Sequence, residues 1–233
     1  MSAMDRLFGA AVVATSALLG TAINIPTASA EPCPDVEVIF ARGTFEAPGV
    51  GGTGQAFVDA LRGQLGDKSM DVYPVNYPAS LDFATAADGV VDASNKIRDV
   101  AASCPSTKMV LGGYSLGAAV VAYTTEDSVP NGFTLPAGLT GPMAPEVAKH
   151  VAAVVLFGKP SSGFLQMIYT GAPPITVGHL YADKTTDLCI PEDNVCSPTG
   201  NDNGAHNLYS VNGMAVQAAD FAARRVLSNG RAA

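Results

Sequence analysis

Tryptophan is absent from the 233 residues, histidine occurs only three times, and charged side chains make up just 15%. The basic side is thinnest: 13 Lys and Arg stand against 21 Asp and Glu, a net charge of −8. No basic stretch gathers those few cations, so the phosphate-neutralising surface that nucleic acid demands is missing. The same deficit excludes attachment to anionic lipid headgroups by charge alone. Cysteine is scarce too, and its four copies do not fall into the paired C-x-x-C spacing of a structural zinc site. Neither linker nor repeat nor low-complexity tract divides the chain, which argues for one domain.

A long apolar run occurs only at the start. Residues 7–25 are mostly apolar, follow a short polar opening with Arg6, and lead to Ala28-Ser29-Ala30, the small-x-small form of a signal-peptidase site. Thr, Ser and Asn interrupt the run, against a retained membrane anchor. Residues 1–30 therefore read as a signal peptide and 31–233 as a single exported domain, large enough to bury a core. All four cysteines lie beyond the signal, and an even count in an exported chain reads as two disulfides. Three pairings are possible. Cys189 and Cys196 are close enough to pin one loop, which favours Cys33–Cys104 with Cys189–Cys196.

What the chain does have is glycine (24 copies) and apolar residues (48%), arranged as alternating strands and helices. Residues 36–41, 70–77, 109–111, 151–157 and material within 177–189 read as strands; 55–65, 83–102, a segment after Ser115 and 208–227 read as helices. Gly89 is the weak point of the second helix. Residues 128–145 and 161–176 read as apolar loops. This alternation predicts an α/β three-layer sandwich with a mostly parallel central sheet of about five strands, covered on both faces. Catalytic groups of such a sheet belong at the carboxyl ends of its strands.

At one such end stands Gly113-Tyr114-Ser115-Leu116-Gly117, a G-x-S-x-G pentapeptide between an apolar strand and an Ala/Val-rich helical segment. In a glycine-rich chain the string alone is weak evidence; the strand–turn–helix context makes Ser115 a candidate nucleophile. A serine needs an imidazole to take its proton and a carboxylate to orient that imidazole. In these sheets the chain order is Ser, acid, His. His150 and His179 lie beside strands and read as structural. His206 sits in the polar loop 201–206 before the last helix, and is the candidate base. Asp193, inside the ring that Cys189 and Cys196 would close, is the first choice for the acid, with Asp187 second.

Those residues also carry a resemblance. Ala41-Arg42-Gly43-Thr44, Gly112 through Gly117, Cys189-x-x-x-Asp193-x-x-Cys196 and Ala205-His206-x-x-Tyr209 resemble the signature blocks of the cutinase family, small secreted esterases with a lidless α/β-hydrolase fold. The resemblance spans nearly all of residues 31–233. It implies Ser115 as nucleophile, Asp193 as orienting acid and His206 as base, with disulfides Cys33–Cys104 and Cys189–Cys196. It further implies an oxyanion hole from the backbone N–H groups of Thr44 and Leu116, helped by the Thr44 hydroxyl. Two positions depart from fungal members, which often carry serine at 44 and have glutamine at 116. The hydroxyl and the backbone donor are kept, while a side-chain support of the hole is lost.

The expectation is a secreted, monomeric serine carboxylic-ester hydrolase, acting on short- to medium-chain acyl esters or lipids through an acyl-enzyme, without metal or cofactor. Apolar stretches 81–83, 128–145 and 164–169 can line an acyl groove or simply pack. The competing reading is a non-catalytic secreted lipid- or envelope-binding protein on the same fold.

Overall fold

Strand β1 (Val36–Ala41) is buried at every position: apolar side chains leave it on both sides, and its one charged residue, Glu37, is paired with Lys96 at 2.8 Å. Val36, Val38 and Phe40 point to one core, Ile39 and Ala41 to the other. In the computed structural model, which describes residues 32–131 and 134–228, this strand is flanked on both sides within a five-stranded sheet. The expected signal segment lies outside the described residues.

Helix α1 (Gly51–Leu65) leads from β1 to β2 (Met70–Pro74), and α2 (Ala86–Ser103), after a 3₁₀ turn at Phe83–Thr85, leads to β3 (Lys108–Tyr114). Helix α3 (Leu116–Thr124) follows at once. A short α4 (Pro145–Ala148) precedes β4 (Val151–Phe157), and α5 (Ser162–Ile168) and α6 (His179–Ala182) precede β5 (Thr185–Leu188). Helix α7 (Met214–Ser228) closes the chain's described part. The strand order is β2-β1-β3-β4-β5 and every pairing is parallel. All carboxyl ends therefore lie along one edge, the arrangement in which loops and helix N-termini converge on a ligand.

Phe57, Val58, Leu61 and Leu65 of α1 and Ala215, Ala218, Ala219, Ala222 and Val226 of α7 share one core with the Phe40 side of the sheet. Helices α2 and α3 cover the opposite side with Ile39, Leu111 and Leu156. This is the expected three-layer α/β sandwich. The Cys33–Cys104 bond ties the entry to β1 to the end of α2, and Cys189–Cys196 closes the late ring. Constraining the long separation of 71 residues is worth roughly 4 kcal/mol in the chain-entropy model.

Several boundaries differ from the sequence expectations, each for an identifiable reason. Helix α1 starts at Gly51 rather than 55 because the Glu46 carboxylate accepts from the N–H of Gly52 at 2.7 Å, capping the helix with a charge its dipole favours. Strand β2 ends at Pro74 rather than 77 because the guanidinium of Arg42 takes the carbonyls of Val75 and Tyr77, and Asp92 takes the N–H of Asn76. The closing helix begins at Met214, not 208: Gly213 has φ +89°, and the Asn212 side chain accepts from the N–H of Met214. The expected loop 161–176 contains α5, whose N-cap Ser161 accepts from the N–H of Phe164. Gly89, weak by helix propensity, is a packing requirement: a Cβ there would stand 3.1 Å from both Tyr77 and Val120.

The turn from β3 to α3 is the tightest place in the fold. A Cβ on Gly117 would lie 2.0 Å from the carbonyl oxygen of Ala41, and one on Gly113 would lie 2.2 Å from that of Gly117. Between them Ser115 is held at φ 55°, ψ −121°. Gly117→Ala has only backbone to push against. It should lower stability by about 1–3 kcal/mol, seen as a drop in melting temperature, whereas Gly63→Ala, where a Cβ meets nothing within 4 Å, should not.

Candidate active site

Ser115 stands at the carboxyl end of β3 with its backbone in the left-handed region that non-glycine residues avoid, at a cost of about 1–3 kcal/mol. Its N–H donates to the carbonyl of Phe157 at 2.9 Å, and its own carbonyl starts α3 by accepting from Ala118 and Ala119. The elbow pushes the hydroxyl out of the sheet. There Ser115 Oγ lies 2.8 Å from His206 Nε2, and His206 Nδ1 lies 2.7 Å from Asp193 Oδ2. Ser115 comes from the β3–α3 turn, Asp193 and His206 from one later segment 13 residues apart, and the three side chains meet in one line.

Asp193 has 0% exposure. Its carboxylate is compensated on every side: Oδ1 accepts from the N–H of Val195 at 2.8 Å, and Oδ2 accepts from Tyr209 Oη at 2.7 Å as well as from His206. A carboxylate can only accept, so Nδ1 carries the proton of the imidazole and Nε2 offers its lone pair to the serine. Burial pushes the Tyr209 phenol above its usual range and keeps it a donor, and the same oxygen accepts from the N–H of Ile190. Tyr114 Oη donates to the backbone carbonyl of His206 at 2.6 Å, and its ring lies 5.1 Å from the imidazole. The loop is further stitched to the Cys189–Cys196 ring where the N–H of Asp202 donates to the carbonyl of Glu192. A side chain at Gly158 would press on Tyr209 and His206.

The other candidates stand elsewhere. Asp187 pairs with Lys159 at 3.3 Å, and burial raises its pKa against that lysine. His179 opens α6 and bonds Asp127 at 2.7 Å, on the surface. His150 sits in the turn before β4.

Thr44 lies just past β1, on the chain segment that Gly117 touches at Ala41 and Arg42. Neither the N–H of Thr44 nor that of Leu116 has an acceptor among the described residues. Two residues hold this loop without having been assigned a task from sequence. Arg42, buried, donates from Nε to the carbonyl of Glu46 and from its terminal nitrogens to Val75 and Tyr77. Glu46 accepts from the N–H of Gly43 at 2.6 Å while also capping α1. Tyr114, Tyr209 and Arg42 were visible within the motif blocks; what sequence lacked was the fold that brings Tyr209 under Asp193.

Chemically, the arrangement can move a proton from a serine hydroxyl to an imidazole whose cation a buried carboxylate stabilises. A family model described as Cutinase matches residues 32–226. The chain is 47% identical over 222 residues to Carboxylesterase Culp1 of Mycobacterium tuberculosis, with 95% of each covered. It is 46% identical to Phospholipase Culp4 of the same species, over 93% of this chain and 89% of that protein. Among solved structures, a Trichoderma reesei cutinase in complex with a phosphonate inhibitor superposes with a TM-score of 0.61 at 32% identity, covering 84% of this chain and 78% of that one.

Asp193→Asn should lower ester turnover by about three to four orders of magnitude through the wrong imidazole tautomer. Asp187→Asn should change it by less than about threefold, since only a lysine pairing is lost. Tyr209→Phe should fall between them, near tenfold, because one buried hydrogen bond to the carboxylate is removed. Steady-state kcat/KM on one soluble ester ranks the three; equal losses at 187 and 193 contradict the geometry.

Proposed function

The chain belongs to the cutinase family and is a carboxylic-ester hydrolase, and from that premise we propose that it works through an acyl-enzyme on Ser115. His206 takes the proton of the Ser115 hydroxyl as its oxygen attacks the ester carbonyl carbon. The tetrahedral oxyanion is received by the N–H groups of Thr44 and Leu116, with the Thr44 hydroxyl beside them. His206 then returns the proton to the leaving alkoxide, the C–O bond breaks, and alcohol departs. Water repeats the sequence on the acyl-serine, with His206 again as base, releasing the acid. Asp193 holds the imidazole in the tautomer that begins each half and stabilises the cation in between.

The single observation that carries this reading is the continuous Ser115–His206–Asp193 line at 2.8 and 2.7 Å. The oxyanion role is supported by the N–H groups of Thr44 and Leu116, which have no acceptor among the described residues, Leu116 being the residue after Ser115. Substrates are short- to medium-chain acyl esters or lipids, in keeping with the carboxylesterase and phospholipase named among the relatives. Two disulfides and the apolar start of the chain support export after cleavage near residue 30, leaving 31–233 as one monomeric domain. No helix among the described residues is long and apolar enough to cross a membrane.

An alkyl phosphonate should label the wild-type chain once, at Ser115, and leave Ser115→Ala unlabelled, as read by intact mass and peptide mapping. Ser115→Ala and His206→Ala should each lower kcat by about four to six orders of magnitude, with little further loss when combined, because the group acts as a unit. Wild-type turnover in His206→Ala, or labelling elsewhere, refutes the assignment.

A further inference from the structure

Among the described residues three non-glycine positions hold a left-handed backbone: Ser115, Phe45 at φ 64° and Ala79 at φ 51°. The elbow accounts for Ser115. The other two are bonded to each other, the N–H of Phe45 donating to the carbonyl of Ala79 at 2.8 Å. Phe45 is 75% exposed, so burial of its ring does not offset the conformation. Strain of this kind persists only where the surroundings over-determine it, and it gathers at functional sites.

What over-determines it here is Glu46. Residues 43–46 form a turn closed by the N–H of Glu46, which donates to the carbonyl of Gly43 at 3.3 Å. Positive φ at the third residue is what a type II turn demands and usually meets with glycine. Glu46 grips Gly43 a second time: Oε2 accepts from the Gly43 N–H at 2.6 Å, while Oε1 accepts from the N–H of Gly52 in α1 at 2.7 Å. The carboxylate thus bridges the turn to a helix, its charge met by two backbone donors. The guanidinium of Arg42 fixes the same residue through the Glu46 carbonyl at 2.9 Å.

The consequence falls on Thr44. A trans peptide is planar, with its C=O and N–H on opposite sides. Holding the Gly43 carbonyl inside the turn therefore sets the Thr44 N–H outward. Of the four N–H groups from 43 to 46, those of Gly43, Phe45 and Glu46 have acceptors, and that of Thr44 has none among the described residues. Leu116 offers no alternative guide, since its side chain is apolar and buried.

We propose that Glu46 is a positioning residue for ester hydrolysis: its bridge between Gly43 and Gly52 aims the Thr44 N–H at the oxyanion formed on the ester carbonyl. The proposal rests on the esterase reading with Thr44 as a donor, and adds what sets that donor's direction. Glu46 touches no reacting atom. A donor fixed before charge develops needs no reorganisation when it does, so the gain belongs to the transition state and to kcat.

The test compares one soluble ester with its thionoester, whose carbonyl sulfur accepts hydrogen bonds only weakly, on the full chain, Glu46→Ala and Glu46→Gln. The readout is the ratio of kcat for ester over thionoester, because damage to the fold or to the Ser115–His206–Asp193 line slows both. Wild type should favour the ester by about a hundredfold. Glu46→Ala should lower kcat on the ester by about ten- to a hundredfold with KM within about twofold, and cut the ratio by at least about tenfold. Glu46→Gln keeps the shape but has one acceptor where the bridge uses two, so one end is released and the ratio should fall by at least about threefold. It decides the matter if Glu46→Ala does not fold. A wild-type ratio in the folded variants, or a loss shared equally by both substrates, leaves Glu46 a helix cap and overturns the proposal. Wild type that treats ester and thionoester alike overturns the donor role of Thr44, and wild type inactive on both overturns the esterase reading; the proposal falls with either.

Discussion

The backbone of Gly117 against the carbonyl of Ala41 is the contact on which the rest depends. It seats α3 directly on the end of β1, closer than any side chain would permit. From that closeness follows the left-handed conformation of Ser115, because the chain must leave β3 and enter the helix within one residue. It also holds the exit of β1, at Ala41 and Arg42, against the start of α3. The strain is sustained by burial: of the nine residues of α3, only Tyr123 is not fully buried. A helix so enclosed cannot relax away from β1 without opening the core.

The second constraint is a carboxylate in a dry place. Withdrawing a charge from water costs several kcal/mol even after relaxation, and the loss is offset only where hydrogen bonds replace the solvent. Asp193 receives Val195, Tyr209 and His206. The irregular segment from Cys189 to Tyr209 makes sense as the structure that supplies those donors. The disulfide limits its motion, the N–H of Asp202 fastens one limb to the other, and Tyr114 reaches across from the elbow to the backbone of His206. The strand that leads to Ser115 and the loop that carries His206 are thereby clamped together by Tyr114. Phe45, Leu81 and Val211, in the loops after β1, β2 and β5, and Met167 on α5 are each more than two-thirds exposed.

Most of the layer architecture was legible in the sequence. Buried parallel strands such as 36–41 and 151–157 are apolar on both faces, and helix periodicity needs no partner to be seen. Ser115 was legible because glycines on either side betray a turn too tight for Cβ atoms, and His206 because only three histidines exist. The ring between Cys189 and Cys196 ranked Asp193 above Asp187 in the sequence, but both are acids near the same cysteine, and only packing sets one against the imidazole and the other against Lys159. It alone gave tasks to Tyr209, Tyr114, Arg42 and Glu46, whose bonds reach residues brought near by the sheet. The helix within 161–176 depended on the Ser161 cap and burial of Leu165, signals too local and brief for periodicity. The apolar stretches 81–83, 128–145 and 164–169 were legible as lining or packing, and Phe83, residues within 134–143 and Leu165 do line one cavity; its other walls, from α2 and α3, were set only by packing, since a void is a property of how elements fail to fill space.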